Sequence, residues 1–132
     1  MSESQVVSSC IKWLWLNGCF VWRNNTGMLR DKSDRPVRFG KTGSADIIGL
    51  NPYGRFLSIE CKFGKGKLSD HQEAFGITVK EHHGIYIVAY SVDDLEAHKA
   101  EILAKIYEPA LAAGALRDYR VRSTAHTEEA GL

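Results

Sequence analysis

The chain has 132 residues, 44% hydrophobic and 25% charged, with a formal net charge of +1; that length fills one compact domain and is too short for two ordinary ones. No apolar run approaches the roughly 20 residues of a membrane-spanning helix, and Met1-Ser2-Glu3-Ser4 lacks a basic stretch ahead of an apolar core, so a soluble, non-secreted protein is expected, in the cytoplasm of a bacterium or phage-infected cell. Cys10, Cys19 and Cys61 have neither the even count of a disulfide framework nor Cys-x-x-Cys metal spacing, and read as reduced core residues.

Residues 3 to 17 read as a helix, because Val6, Val7, Cys10, Ile11 and Leu14 form one apolar stripe. Gly18 is its expected stop. Glu3 shares a face with Val7, Cys10 and Leu14, either starting the inward stripe or complementing the helix dipole from the first turn. Trp13, Trp15 and Leu16 fall largely off the stripe, which predicts either an exposed contact surface or further wrapping by a sheet. Phe20 to Asn24 reads as a strand and Asn25-Thr26-Gly27 as a turn. From Met28 to Ser44 the chain carries Arg30, Lys32, Arg35, Arg38 and Lys41 among glycines, Pro36 and few apolar residues. This stretch is expected to be a long mobile loop: either an arm that contacts phosphates, joined by Arg23 and Asn24, or a plain excursion.

Ile47 to Leu50 is a short apolar run that reads as a buried strand. Asn51-Pro52-Tyr53-Gly54 then reverses the chain, with proline early and glycine late in the turn. The returning strand, Arg55 to Lys62, points Glu60 and Lys62 to one face and Leu57, Ile59 and Cys61 to the other. Phe63-Gly64-Lys65-Gly66-Lys67 lacks the spacing and Gly-Lys-Ser/Thr ending of a nucleotide-binding loop, which argues against a nucleotide cofactor. Ser69-Asp70-His71-Gln72 is a capping box opening a helix that runs to His82-His83, with Gly84 as its stop. Ile85 to Tyr90 is an apolar strand of the kind buried on both faces. Ser91 caps a further helix whose inward face is Leu95, Ile102, Leu103 and Ile106, up to Pro109. Ala110 to Leu116 is a candidate short helix, Arg117 to Arg122 is ambiguous, and residues 123 to 132 read as a disordered tail behind a single domain spanning residues 1 to 122.

Charge is unevenly spread. Arg23 to Lys67 holds ten Lys/Arg against four Asp/Glu, a net of +6, while residues 1 to 22 sum to zero and 68 to 132 to −5. This is the footprint of a polyanionic ligand such as nucleic acid. If the strands on either side of Asn51 pair, Asp46 falls beside Glu60 and Lys62. Two hard oxygen donors suit Mg²⁺ or Mn²⁺, and a lysine beside them can orient or activate a water for attack on phosphorus.

Gly43-Ser44-Ala45-Asp46-Ile47-Ile48-Gly49, then Gly54-Arg55-Phe56-Leu57-Ser58-Ile59-Glu60-Cys61-Lys62, then Gly66-Lys67-Leu68-Ser69-Asp70-His71-Gln72 resembles the virus-type replication-repair nuclease (VRR-NUC) domain, a branch of the PD-(D/E)xK nucleases. The likeness is to its stand-alone, phage-like type and covers roughly Glu3 to Leu95. Ala45 stands where the family's proline precedes the aspartate. The resemblance implies that Asp46 and Glu60 hold the metal, that Lys62 serves the nucleophilic water, and that Gln72 lies near the active site. It further implies that a glutamate on the first helix can reach the metal, a place for which Glu3 is the acid available.

An α/β domain of restriction-endonuclease-like type is therefore expected, its central mixed sheet flanked by helices. It would cleave DNA phosphodiesters with Mg²⁺ or Mn²⁺ held by Asp46, Glu60, the Cys61 carbonyl and Glu3. One metal or two remains open. Nucleic-acid contacts are expected from Arg23, Arg30, Lys32, Arg35, Arg38, Lys41, Lys65, Lys67 and His71. With no separate sequence-reading module, DNA shape would set specificity. Symmetric branched DNA such as a four-way junction needs two active sites, which favours a homodimer built through the helix-1 tryptophans or the strand ending at Tyr90. The alternatives are a nuclease for flaps, nicks or a short sequence, or a non-catalytic DNA-binding module of the same fold.

Overall fold

The computed structural model of the chain describes residues 1–111. Helix α1 spans Glu3–Leu16. Ser2 starts it, its hydroxyl accepting the Gln5 N–H at 3.3 Å, and Gly18 turns the chain at φ +81°, the left-handed conformation that favours glycine. Strand β1 (Phe20–Arg23) follows, then β2 (Gly27–Arg30), β3 (Pro36–Phe39), β4 (Ile47–Leu50) and β5 (Phe56–Cys61). Helix α2 (Asp70–Glu81) crosses over to β6 (Ile85–Ala89), and α3 (Val92–Ala97) and α4 (Lys99–Ile102) complete the described elements.

The main sheet has the order β1-β4-β5-β6. Its first three strands are antiparallel, whereas β5 and β6 are parallel and joined by the α2 crossover. This is the mixed sheet flanked by helices that the sequence led us to expect. Helix α1 covers one face: Val6, Val7, Cys10 and Leu14 pack with Leu57, Ile59 and Cys61 in the larger cluster, to which Leu95 and Ile102 also belong. Helix α2 covers the β5–β6 half of the other face, where Val79 packs with Tyr86 and Val88. Full burial of a side chain such as Leu14 stabilises by about 1.5–3 kcal/mol. Gly49 lets β1 lie on β4: a Cβ there would stand 2.0 Å from the Phe20 carbonyl oxygen. The three cysteines are free and buried.

Several expectations need correction. Met28 to Ser44 is no long loop, because β2 and β3 pair as an antiparallel hairpin outside the main sheet. Its turn is held by Asp31, whose Oδ1 accepts the Ser33 and Arg35 N–H groups at 2.8 and 2.9 Å; such a side-chain-built turn leaves no apolar alternation to read. Trp13 is 8% exposed, its Nε1–H donating to Glu96 at 2.8 Å, so α3 extends the buried face of α1 further than its stripe suggested. Of the two alternatives for the off-stripe residues, exposure holds for Trp15 and Leu16. The helix at the end of α2 stops at His82, and His83 rather than Gly84 takes the left-handed turn, at φ +66°. The helix after Ser91 breaks at His98 into α3 and α4, which leaves Ile106 exposed. Residues 112 to 132, which hold most of the candidate helix from Ala110 to Leu116, the ambiguous stretch to Arg122 and the expected tail, lie outside the described residues.

Candidate active site

The β4–β5 hairpin brings Asp46, Glu60 and Lys62 to one end of the sheet. Ile47 pairs with Ile59, so Asp46 comes opposite Glu60. The Cys61 N–H donates to Asp46 Oδ2 at 2.8 Å. Upstream, the Asn24 N–H donates to the Asp46 carbonyl at 2.7 Å, and the Asn24 side-chain amide donates to Ser44 Oγ and the Ala45 carbonyl. Asn24 was expected to join a phosphate-binding loop; here it ties the segment carrying Asp46 to the end of β1. Nothing in the sequence around it signals that task beyond its place at a strand end.

Glu60 is 1% exposed. Its Oε2 lies 3.5 Å from Lys62 Nζ and accepts the Gln72 amide at 3.1 Å, while Oε1 is buried without a hydrogen-bond partner. Gln72 Oε1 in turn accepts Lys62 Nζ at 2.8 Å and the Ser69 N–H at 2.9 Å. The residue that completes the α2 capping box therefore also bridges the lysine and the carboxylate. Tyr86 Oη donates to the Gln72 carbonyl at 3.3 Å, and Gly76 lets α2 approach: a Cβ there would meet the Tyr86 ring at 2.5 Å. Burial, and then the nearby Asp46, push the Glu60 carboxyl up to about 8, against the opposing pull of Lys62.

This electrostatic arrangement fits a divalent cation. Two carboxyl groups stand side by side, ionisation of the second is opposed by the first, one buried Glu60 oxygen has no hydrogen-bond partner, and the donors are hard oxygens. Among the described residues no three His, Cys, Asp or Glu side chains gather as a ready metal cluster. Glu3 is exposed in the first turn of α1, and no contact connects it to the Asp46–Glu60 pair. Cys61 is fully buried in β5 and contributes its N–H to Asp46.

The basic residues divide into two kinds. Arg30 pairs with Asp34 at 3.7 Å and Arg35 with Asp31 at 3.0 Å, bracing the β2–β3 hairpin. Arg23 donates to the Ser4 carbonyl and hydroxyl at 3.3 and 3.4 Å, which fastens β1 to the start of α1. Lys32, Arg38, Lys41, Lys65 and Lys67 are exposed. His71 is exposed too and, with Lys41, lines a cleft of about 400 Å³ along α2; its backbone lies so close to Gly43 that a Cβ there would come within 2.5 Å of the His71 carbonyl oxygen.

No helix among the described residues is long and apolar enough to cross a membrane. The family model described as the VRR-NUC domain matches residues 1–93, from the start of the chain into α3. No curated protein matches the chain.

Proposed function

The chain belongs to the VRR-NUC family, nucleases of the PD-(D/E)xK type with a restriction-endonuclease-like fold, and from that membership we propose a divalent-metal-dependent, structure-selective DNA endonuclease that resolves four-way junctions as a homodimer. One observation carries the catalytic part: Asp46, Glu60, Lys62 and Gln72 converge at one end of the sheet with a buried Glu60 oxygen unsatisfied. Asp46 and Glu60 would hold Mg²⁺ or Mn²⁺, joined by the Cys61 carbonyl, with Glu3 as a third carboxylate if the first turn of α1 swings inward. When bound, the ion would neutralise charge on the scissile phosphate. Lys62, fixed by Gln72, would orient the attacking water and favour its deprotonated form.

Lys32, Arg38, Lys41, Lys65, Lys67 and His71 would meet the DNA backbone; Arg23, Arg30 and Arg35 would act first as braces and present their remaining donors to phosphate. The dimer reading is supported by exposed apolar surface on α1 and β1, where Trp15, Leu16, Phe20 and Trp22 stand uncovered. The test is one gel: end-labelled four-way junction and matching linear duplex, each with Mn²⁺, using wild type and Lys62→Ala. Paired symmetric incisions in the junction alone, lost in the variant, are expected. Equal nicking of both DNAs would discard junction resolution, and cutting by Lys62→Ala at the wild-type rate would discard the catalytic assignment.

A further inference from the structure

Just past Lys62, the Phe63–Lys67 loop is held in a fixed shape. The Gly66 N–H donates to the Phe63 carbonyl at 3.1 Å, Gly64 sits at φ +61°, and Tyr90 Oη, at the end of β6, donates to the Gly66 carbonyl at 2.7 Å. Gly64, Lys65, Gly66, Lys67 and Tyr90 line a shallow cavity of about 530 Å³ that is open to solvent over most of its extent. The cavity adjoins the reaction centre, since a Cβ on Gly66 would lie 3.6 Å from Lys62 Cδ. The Tyr90 hydroxyl is spent on Gly66, so the ring is what Tyr90 offers the cavity. Phe63, next to Lys62, is 47% exposed.

Resting on the nuclease reading above, we propose that this cavity takes one unpaired nucleotide flanking the scissile phosphate, its base against the Tyr90 ring and its phosphate on Lys65 and Lys67. An aromatic wall is indifferent to base identity, because every base has a π-face. A duplex must unstack to fill the cavity, and a base already unpaired gives up least. The loop therefore selects for branch points and flaps over continuous duplex.

Lys62→Ala protein with Mg²⁺ is titrated into a forked DNA carrying 2-aminopurine as the unpaired nucleotide at the branch, and into the same sequence fully paired. Binding should quench the fork's fluorescence. Adding Tyr90→Leu should remove the quench and weaken fork binding, read by anisotropy, by about 5- to 100-fold; Tyr90→Phe, which keeps the ring, should retain the quench. Because Tyr90 also packs against the core beneath α2, Lys65→Ala/Lys67→Ala, which alters only exposed side chains, is the second arm. It should reduce the salt slope of fork binding by about two. A quench that survives Tyr90→Leu, or fork affinity unchanged in the lysine double variant, overturns the proposal. Quenching by a protein that, with Lys62 intact, cuts no DNA would support the pocket while defeating the nuclease reading.

Discussion

Helix α2 has a buried lysine–glutamate pair at each end, and the two pairs are built to different ends. At its C-terminal end Lys80 meets Glu101 of α4 directly, both nearly inaccessible; burial holds the lysine's pKa below its ordinary value, against the opposing pull of Glu101. At its N-terminal end Lys62 stands 3.5 Å from Glu60, with Gln72 between them and a second carboxylate, Asp46, alongside. An unsatisfied oxygen does not distinguish the sites, because Glu101 Oε2 is also buried without a hydrogen-bond partner. The extra acid does. One lysine balances one carboxylate and leaves a closed structural pair, whereas one lysine beside two carboxylates leaves a deficit of positive charge that a divalent ion would fill.

The strongest way to break this comparison is to neutralise both glutamates. Glu60→Gln is expected to abolish cleavage and leave the metal-free fold as stable or more so, since it removes a carboxyl whose ionisation is opposed by burial and by Asp46. Glu101→Gln strands a buried ammonium and should cost about 3–5 kcal/mol. Denaturant melts and a cleavage assay on the two variants check the opposite signs; a loss of stability in both would show that the pairs are equivalent.

Varying pH sharpens the contrast. Glu60 titrates at about 8 in the fold, above its ordinary value, so its contribution to stability is fully present below about pH 4.5 and is lost as pH rises through about 8, by roughly 1.4 kcal/mol per unit. Metal-free wild type should therefore lose ground to Glu60→Gln between pH 5 and 8 in thermal melts. Since metal binding must displace that proton, Mn²⁺ affinity measured by calorimetry should rise about tenfold per pH unit until about pH 8 and then level off. A flat profile would remove Glu60 from the metal site.

The smallest expected effect separates the cap from the chemistry. Ser69→Ala loses the N-cap and should cost about 1 kcal/mol, with cleavage little changed. Gln72→Leu loses a comparable cap and also releases Lys62, so its kcat should fall about 10- to 100-fold. Equal activity in the two variants would reduce Gln72 to a helix cap.

The β4–β5 hairpin was legible because its alternation, its Asn51–Gly54 turn and its charged end all lie within one short stretch of sequence. The capping box at Ser69 was equally local. What escaped reading depends on contacts made across the chain. Trp13 is buried through Glu96, Asn24 works through Ala45 and Asp46, and Tyr90 clasps Gly66; none has a partner close enough in sequence to leave a periodic signal. The β2–β3 hairpin failed for the converse reason. Its four apolar residues Met28, Leu29, Val37 and Phe39 are all exposed, so no core imposes a pattern on it.

That hairpin leaves and rejoins the body of the protein at nearly one point. A side chain on Gly40 would stand 2.7 Å from the Thr26 side chain and 3.0 Å from the Asn25 carbonyl oxygen, and Asn24 bonds Ser44 across the same neck. The insertion is thus a closed detour: its length and charge can be rewritten, or the whole of it exchanged for a short bridge, while the ends stay where Asp46 needs them. Under the proposed reading, contacts to DNA would change there without Asp46 and Glu60 having to be rebuilt.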